Sequence, residues 1–273
     1  MKQTTGELTL TFRKKKNGQT YLAEQYFKLP LQVLAPHYQD DDGTAFIYLL
    51  NPSGGILQHD RLYTEITVEE NAKVVVTTPS TTKFYKMDDG YAKIVNRINV
   101  KAGGVMEYLP EHNVPFAESK AYQENDFYLD KNSVLIAVDM VTAGRASMGE
   151  TFKYDIYSSK TRVYVDGKLK VYDNTFIEPA KMELQTVGLM EGHLSNGVIY
   201  AYSPNLNKEI IDKLNQLQHP EGITFAAGII EDNLMIIRFL GDNMINLQET
   251  IQNAWACLRE GILGKPAVKI RKY

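Results

Sequence analysis

Apolar and polar residues alternate along most of the chain up to about residue 202. The runs Leu8 to Phe12, Ala45 to Leu50, Lys73 to Thr78, Val105 to Leu109 and Val134 to Val138 are rich in Val, Ile, Thr, Tyr and Phe. Branched and aromatic side chains suit a pleated, half-buried surface, so these runs predict strands. Val163 to Val171 predicts a hairpin, with Asp166-Gly167 at turn positions that need positive φ.

After residue 202 the texture changes. Ser203 predicts a helix N-cap with Pro204 in the first turn, and Leu206, Ile210, Ile211, Leu214 and Leu217 fall on one helical face. Two strands follow, Ile223 to Ile230 and Leu234 to Leu240, joined by Glu231-Asp232-Asn233. Asp242 or Asn243 then caps a second helix. Its apolar stripe is Met244, Leu247, Ile251, Ala254, Trp255, Leu258 and Ile262, and Gly261 or Gly264 stops it.

A loose repeat runs through the β region. Aligning the small residues Ala72, Gly104 and Ser133, each followed by an apolar strand, gives separations of 32 and 29 residues. Periods of that size suggest stacked β layers. The expected fold is therefore mainly β. A layered or β-helix-like body spans 1–202, and a small α+β part with two helices spans 203–273 and packs on it.

The chain has 273 residues, 44% hydrophobic and 23% charged, with net charge −3. These values fit a globular protein, not a disordered chain, and carry no basic footprint for nucleic acid. The single cysteine, Cys257, cannot form an internal disulfide or a Cys-cluster zinc site, which favours a reducing compartment. No apolar h-region opens the chain and no run approaches a membrane span, so a cytoplasmic location is expected. Neither a phosphate loop nor a Gly-x-Ser-x-Gly elbow is present. His37, His59, His112, His193 and His219 fall in no recognised metal spacing.

What remains is a set of polar residues inside apolar β segments. His59-Asp60-Arg61 lies between Leu57 and Leu62. Thr77 to Lys83, with Thr78, Ser80 and Thr81, is dense in hydroxyls. Asp139 follows a fully apolar strand, and Arg145 and Glu150 lie among glycines beyond it. Buried carboxylates are costly unless paired or wet, so Asp60, Asp139 and Glu150 are expected to point into a polar interior, with Arg61 or Arg145 as partners. On residues alone, a β-solenoid enzyme acting on carbohydrate through such carboxylates is an alternative.

Four motifs then converge. Gly54-Gly55 with Asp60-Arg61 resembles the Gly-Gly…Gly-Asp-Arg segment of the urease accessory protein UreD family, called UreH in some organisms. Thr77-Thr78-Pro79-Ser80-Thr81-Thr82-Lys83-Phe84-Tyr85 resembles its Thr-Thr-x-x-Ala-Thr-Lys-x-Tyr strand. Leu109-Pro110 with Val114-Pro115-Phe116 resembles its Leu-Pro-x…Ile-x-Phe segment, and Gly144-Arg145 with Gly149-Glu150-Thr151-Phe152 its Gly-Arg-x-x-x-Gly-Glu-x-Phe motif. They occur in the family order across about residues 45–155. His59 replaces the usual glycine, Pro79 a common glutamine, and Lys269 to Tyr273 lacks the family's Pro-Arg-x-Trp ending.

The resemblance implies a non-enzymatic scaffold or chaperone for urease metallocentre assembly. Its implied partners are the urease apoprotein, the helical accessory protein UreF and, through the complex, the GTPase UreG. It implies no tightly bound cofactor, only nickel in transit for insertion into urease. Asp60, Asp139, Glu150 and His59 are the candidate transient ligands of a polar passage. Arg61, Thr78, Ser80, Thr81, Lys83 and Arg145 are its candidate lining or motif residues.

Overall fold

A computed structural model describes residues 4–231 and 233–270. Met1-Lys2-Gln3 of the leader reading, Asp232 of the predicted strand connection and Arg271-Lys272-Tyr273 of the tail lie outside the described residues.

The strands, in chain order, are β1 (Gly6–Lys14), β2 (Thr20–Lys28), β3 (Gln32–Val33), β4 (Ala45–Leu50), β5 (Arg61–Val68), β6 (Lys73–Thr77), β7 (Thr82–Phe84), β8 (Ala92–Val100), β9 (Val105–Leu109), β10 (Asn113–Pro115), β11 (Lys120–Leu129), β12 (Val134–Thr142), β13 (Ile156–Val165), β14 (Lys168–Ile177), β15 (Ser195–Tyr202), β16 (Ile223–Glu231) and β17 (Leu234–Gly241). Among the described residues two α-helices, α1 (Lys208–Asn215) and α2 (Met244–Leu263), and two single-turn 3-10 helices complete the fold.

From β4 to β13 the chain passes back and forth between two sheets, so this stretch winds as a solenoid. One sheet has seven strands in the order β14-β13-β11-β8-β5-β1-β2. The other has ten, with β16-β17-β15-β12-β9-β6-β4-β3 as its spine and β10 and β7 beside β12. Parallel stacks β5·β8·β11·β13 and β6·β9·β12 are the walls of the coils. The small-residue turns of the repeat lie one above another: Val105 N donates to Ala72 O and Val134 N to Gly104 O, each at 2.9 Å. Ala72 and Ser133 are fully buried there, which is why larger side chains are absent from these turns.

The core follows from strand parity. Along β5 every second residue is buried, and Leu62, Thr64, Ile66 and Val68 face the opposite sheet. Leu8, Leu10, Phe12, Ile66, Ile98, Phe127 and Val163 of one sheet pack there against Val74, Val76, Met106 and Leu135 of the other. The ten-stranded sheet is apolar on both faces, because helices cover its outer side. Ile199, Ile237 and Phe239 meet Ile210, Leu214, Leu247, Ile251, Trp255 and Leu258. A buried charge anchors this layer: Arg259 Nε donates to Glu107 at 3.1 Å, Trp255 Nε1 donates to the same carboxylate at 2.7 Å, and Arg259 Nη2 donates to Asp40.

β16 and β17 match the predicted strands and extend the body's own ten-stranded sheet through β15. Asp166 and Gly167 hold φ of 46° and 74° between β13 and β14, as the hairpin signal required. Asn243 caps α2 by accepting from Asn246 N, and Gly264 ends it at φ 65°. Gly261 lies within the helix, where a Cβ would come 2.7 Å from Ile210 of α1. The first helix starts later than the Ser203-Pro204 reading expects. Asn207 is its cap, accepting from Ile210 N, and residues 203–206 form a turn closed by Leu206 N on Ser203 O. Ser203 is fully buried and its hydroxyl accepts from Asn205 N, so it serves that turn instead.

Candidate functional site: a polar cavity between the sheets

Between the sheets, at the end nearest β7 and β10, the core opens into a cavity of about 390 Å³. Its mouth is made by Asn51, Pro52, Gly54 and Gly55, by Thr78 to Lys83, and by Pro110-Glu111. Its inner wall carries Thr64, Asn96, Asn113, Gln123 and Asp139.

The inner wall is polar by register. Thr64, Asn96, Asn125, Thr161 and Asp173 are direct cross-strand neighbours across β5, β8, β11, β13 and β14. They form one polar rung through a largely apolar layer. Asn96 Nδ2 donates to Asn125 Oδ1 at 2.8 Å. At the far end of the rung Asp173 accepts from Tyr200 Oη at 2.7 Å and from Arg238 Nη2 at 2.8 Å. The next rung holds Gln123 beside Ser159.

Asp139 reaches this wall from β12 in the facing sheet. Ser159 Oγ donates to its Oδ2 at 2.5 Å and Gln123 Nε2 to its Oδ1 at 3.2 Å. Asn113 Nδ2 donates to Tyr157 Oη at 2.9 Å and to Gln123 Oε1 at 3.3 Å, extending the network. Burial raises the Asp139 carboxyl above its ordinary range, and the two hydrogen bonds oppose that only in part. The same burial raises the phenols of Tyr108, Tyr157 and Tyr200. A desolvated carboxylate among neutral hydroxyls and amides attracts a cation without forming a cage for it.

The structure gathers Asp139, Thr78, Ser80, Thr81 and Lys83 around this cavity. The other candidates are elsewhere, and the expectation that Asp60 and Glu150 point inward is corrected. Asp60 closes a turn: its Oδ2 accepts from Leu57 N at 2.8 Å and its Oδ1 from Thr5 Oγ1 at 3.2 Å. Arg61 donates to Asp60 O and Tyr91 O and lies 4.0 Å over the Tyr91 ring. Arg145 grips Glu150 through Nε at 2.8 Å and through Nη2, and Ala117 N donates to the same carboxylate. Arg145 thereby holds the Glu150 carboxyl below its ordinary range. Local donors satisfy both acids, so neither needs a wet interior. His59 is exposed and 3.6 Å from Asp89. Its φ of 68° is a conformation that glycine adopts without strain, so the glycine that the family resemblance implies here would suit this backbone. Among the described residues no three His, Cys, Asp or Glu side chains converge as a metal site.

The four motifs nevertheless meet in space. Arg145 stacks 3.9 Å over Phe116, Phe116 meets Tyr85 edge-on at 5.0 Å, and Tyr85 lies under the Gly54-Gly55 loop. A Cβ on Gly55 would sit 2.3 Å from the Tyr85 ring, so only glycine fits. Together they build one flank of the mouth. The inner wall, Gln123, Ser159, Asn113 and the rung, escaped sequence reasoning. The signal was there: Thr64, Asn96 and Asn125 each precede the aligned Ala72, Gly104 and Ser133 by eight residues.

Residues 4–272 match the family model described as UreD urease accessory protein. The chain is 28% identical to the Urease accessory protein UreD of Bacillus cereus (strain ATCC 10987 / NRS 248), over 100% of both chains. It is 29% identical to that of Cenarchaeum symbiosum (strain A), over 95% of this chain and 93% of the other. For Staphylococcus aureus (strain Newman) the figures are 27% and 99% of each chain. Both sheets, both helices and every segment that builds the mouth fall within the matched residues, and the chain belongs to the UreD family of urease accessory proteins.

Proposed function

We propose that this chain is a cytoplasmic scaffold for urease maturation, without turnover of its own, that binds apo-urease and assists nickel delivery to its active site. The accessory role follows from the family. The finer reading is supported by one observation above the others: a partly desolvated carboxylate, Asp139, at the inner wall of a cavity where the hydroxyls and amides of Thr64, Asn96, Asn113 and Gln123 stand among Leu and Ile side chains. Nickel tolerates oxygen and imidazole ligands, and a cargo ion must be held by few of them, because tight capture would stop delivery.

In this reading nickel passes the mouth at Thr78 to Lys83, meets Asp139, and follows the polar rung toward Asp173. Asp60, Arg61, Arg145 and Glu150 shape the mouth without touching the ion, and His59 stands outside it. The partners are apo-urease, a UreF-like helical protein and, through that complex, a UreG-like GTPase. A hollow of about 970 Å³ beside α2, lined by Leu109, Val138, Met140, Ile251, Trp255 and Val268, offers the helical partner an apolar seat.

The test is co-purification with apo-urease followed by metal analysis of the urease. Asp139→Ala and Asp139→Asn are expected to leave the complex intact and to lower urease nickel severalfold. Normal nickel content in urease matured with either variant would remove Asp139 from the route.

A further inference from the structure

Helix α2 and the mouth of the cavity are far apart in the chain, yet one side chain joins them. Gln248 Nε2 donates to the Glu111 carboxylate, 137 residues away in sequence, and lies 3.2 Å from His112 Nδ1. The side chains of Glu111 and His112 are only 9% and 14% exposed, so water competes poorly for this contact. From here the links run straight into the mouth. Glu111 N donates to Thr78 Oγ1 at 2.9 Å, Thr78 Oγ1 donates to Ser80 O at 3.1 Å, and Thr82 N donates to His112 O at 3.1 Å. Thr78 to Thr82 therefore hangs on residues 111–112, and these are held to α2 by Gln248. Pro110 is a wall shared by the cavity and the hollow beside α2, and Gln248 lines that hollow.

We propose that Gln248 is a positioning residue that ties α2 to the mouth loop and sets how wide the cavity opens. The proposal rests on the passage reading. A hydrogen bond to a carboxylate in a nearly dry site is among the stronger contacts a neutral side chain can make. Glu111 also lies 3.5 Å from His112 Nδ1; without Gln248 this pair loses its tie to α2, and the segment 78–82, bound to the backbone of residues 111–112, is freed to move outward. A load on α2 would reach the mouth by the same links.

Cysteine accessibility in the full chain tests this. In a Cys257→Ser background, Thr64→Cys places a thiol of nearly the same shape on the inner wall. Val163→Cys places one in the dry core between the sheets. The probe is a small methanethiosulfonate reagent. Adding Gln248→Ala is expected to speed modification at position 64 roughly tenfold while leaving position 163 unchanged. Glu111→Gln, which keeps the contact but removes the charge, is expected to fall between. Equal rates at position 64 with and without Gln248 would overturn the latch and leave the passage standing. An equal rise at both positions would reduce Gln248 to a general stabiliser and overturn it too. No modification at position 64 in any variant would close the cavity altogether, and the passage reading would fall with the latch.

Discussion

Asp139 is held between two opposing effects, burial that disfavours its charge and two donors that favour it, and burial is the larger. The sign of the consequence is fixed by linkage. A carboxyl whose pKa is raised on folding binds its proton more tightly in the folded chain. Its contribution to stability is therefore most favourable below the ordinary carboxylate range and is lost as pH rises toward the raised value. Asp139→Asn cannot ionise, so its melting temperature relative to the parent should climb in the variant's favour as pH rises above about 4, the ordinary aspartate value. Glu107, also raised by burial, acts equally in both proteins and cancels in the difference. A difference that stays constant with pH would mean that Asp139 ionises in the folded chain as readily as an exposed carboxylate. Sequence neighbours marked Asp60, Asp139 and Glu150 alike as acids in apolar company. Loop geometry separated them: Leu57 N and Arg145, each within a turn of its acid, hold Asp60 and Glu150, whereas both side-chain partners of Asp139 come from strands of the facing sheet, β11 and β13.

At the scale of the element, β16 lies at one edge of the ten-stranded sheet. An edge strand offers unpaired backbone groups to other chains. Here Ile229 and Ile230, 45% and 54% exposed, add apolar surface to that risk. The C-terminal residue of α1 blunts it. Asn215 accepts from Ala227 N at 2.9 Å and donates to Ala227 O at 3.2 Å, occupying two of the outward backbone groups in the middle of the edge. Asn215→Ala should free both and yield concentration-dependent dimers in sedimentation velocity, at a cost of about 1–2 kcal/mol in intrinsic stability. A variant that stays monomeric at every concentration would show that β16 is guarded by something other than Asn215.

Across the whole molecule, polar residues occupy the middle of a layer that could have been wholly apolar. Replacing a hydrogen-bonded pair by apolar groups of similar shape is often neutral or stabilising. The double substitution Asn96→Leu with Asn125→Leu should therefore keep or raise the melting temperature. The same variant should activate urease poorly, because it interrupts the rung that continues the cavity. Normal activation with unchanged stability would make the rung an incidental feature of the core. Polar residues kept where apolar ones would serve stability are expected at functional sites.

Several of the strands, the Asp166-Gly167 hairpin, the apolar stripe of α2 and the stacking of coils were legible in the chain itself. Each rests on contacts between residues near in sequence or on a period that repeats along it. Even the position of Thr64, Asn96 and Asn125 was fixed by that period, since stacked coils bring equal offsets into register. Other features belonged to tertiary structure alone. Asp139 meets Gln123 and Ser159 only because two sheets face each other, and Gln248 meets Glu111 only because α2 lies across the outer sheet. No local pattern encodes the direction of a side chain whose partners are contributed by distant strands. Packing of the second sheet and its helix settled which carboxylate looks inward and what holds the mouth.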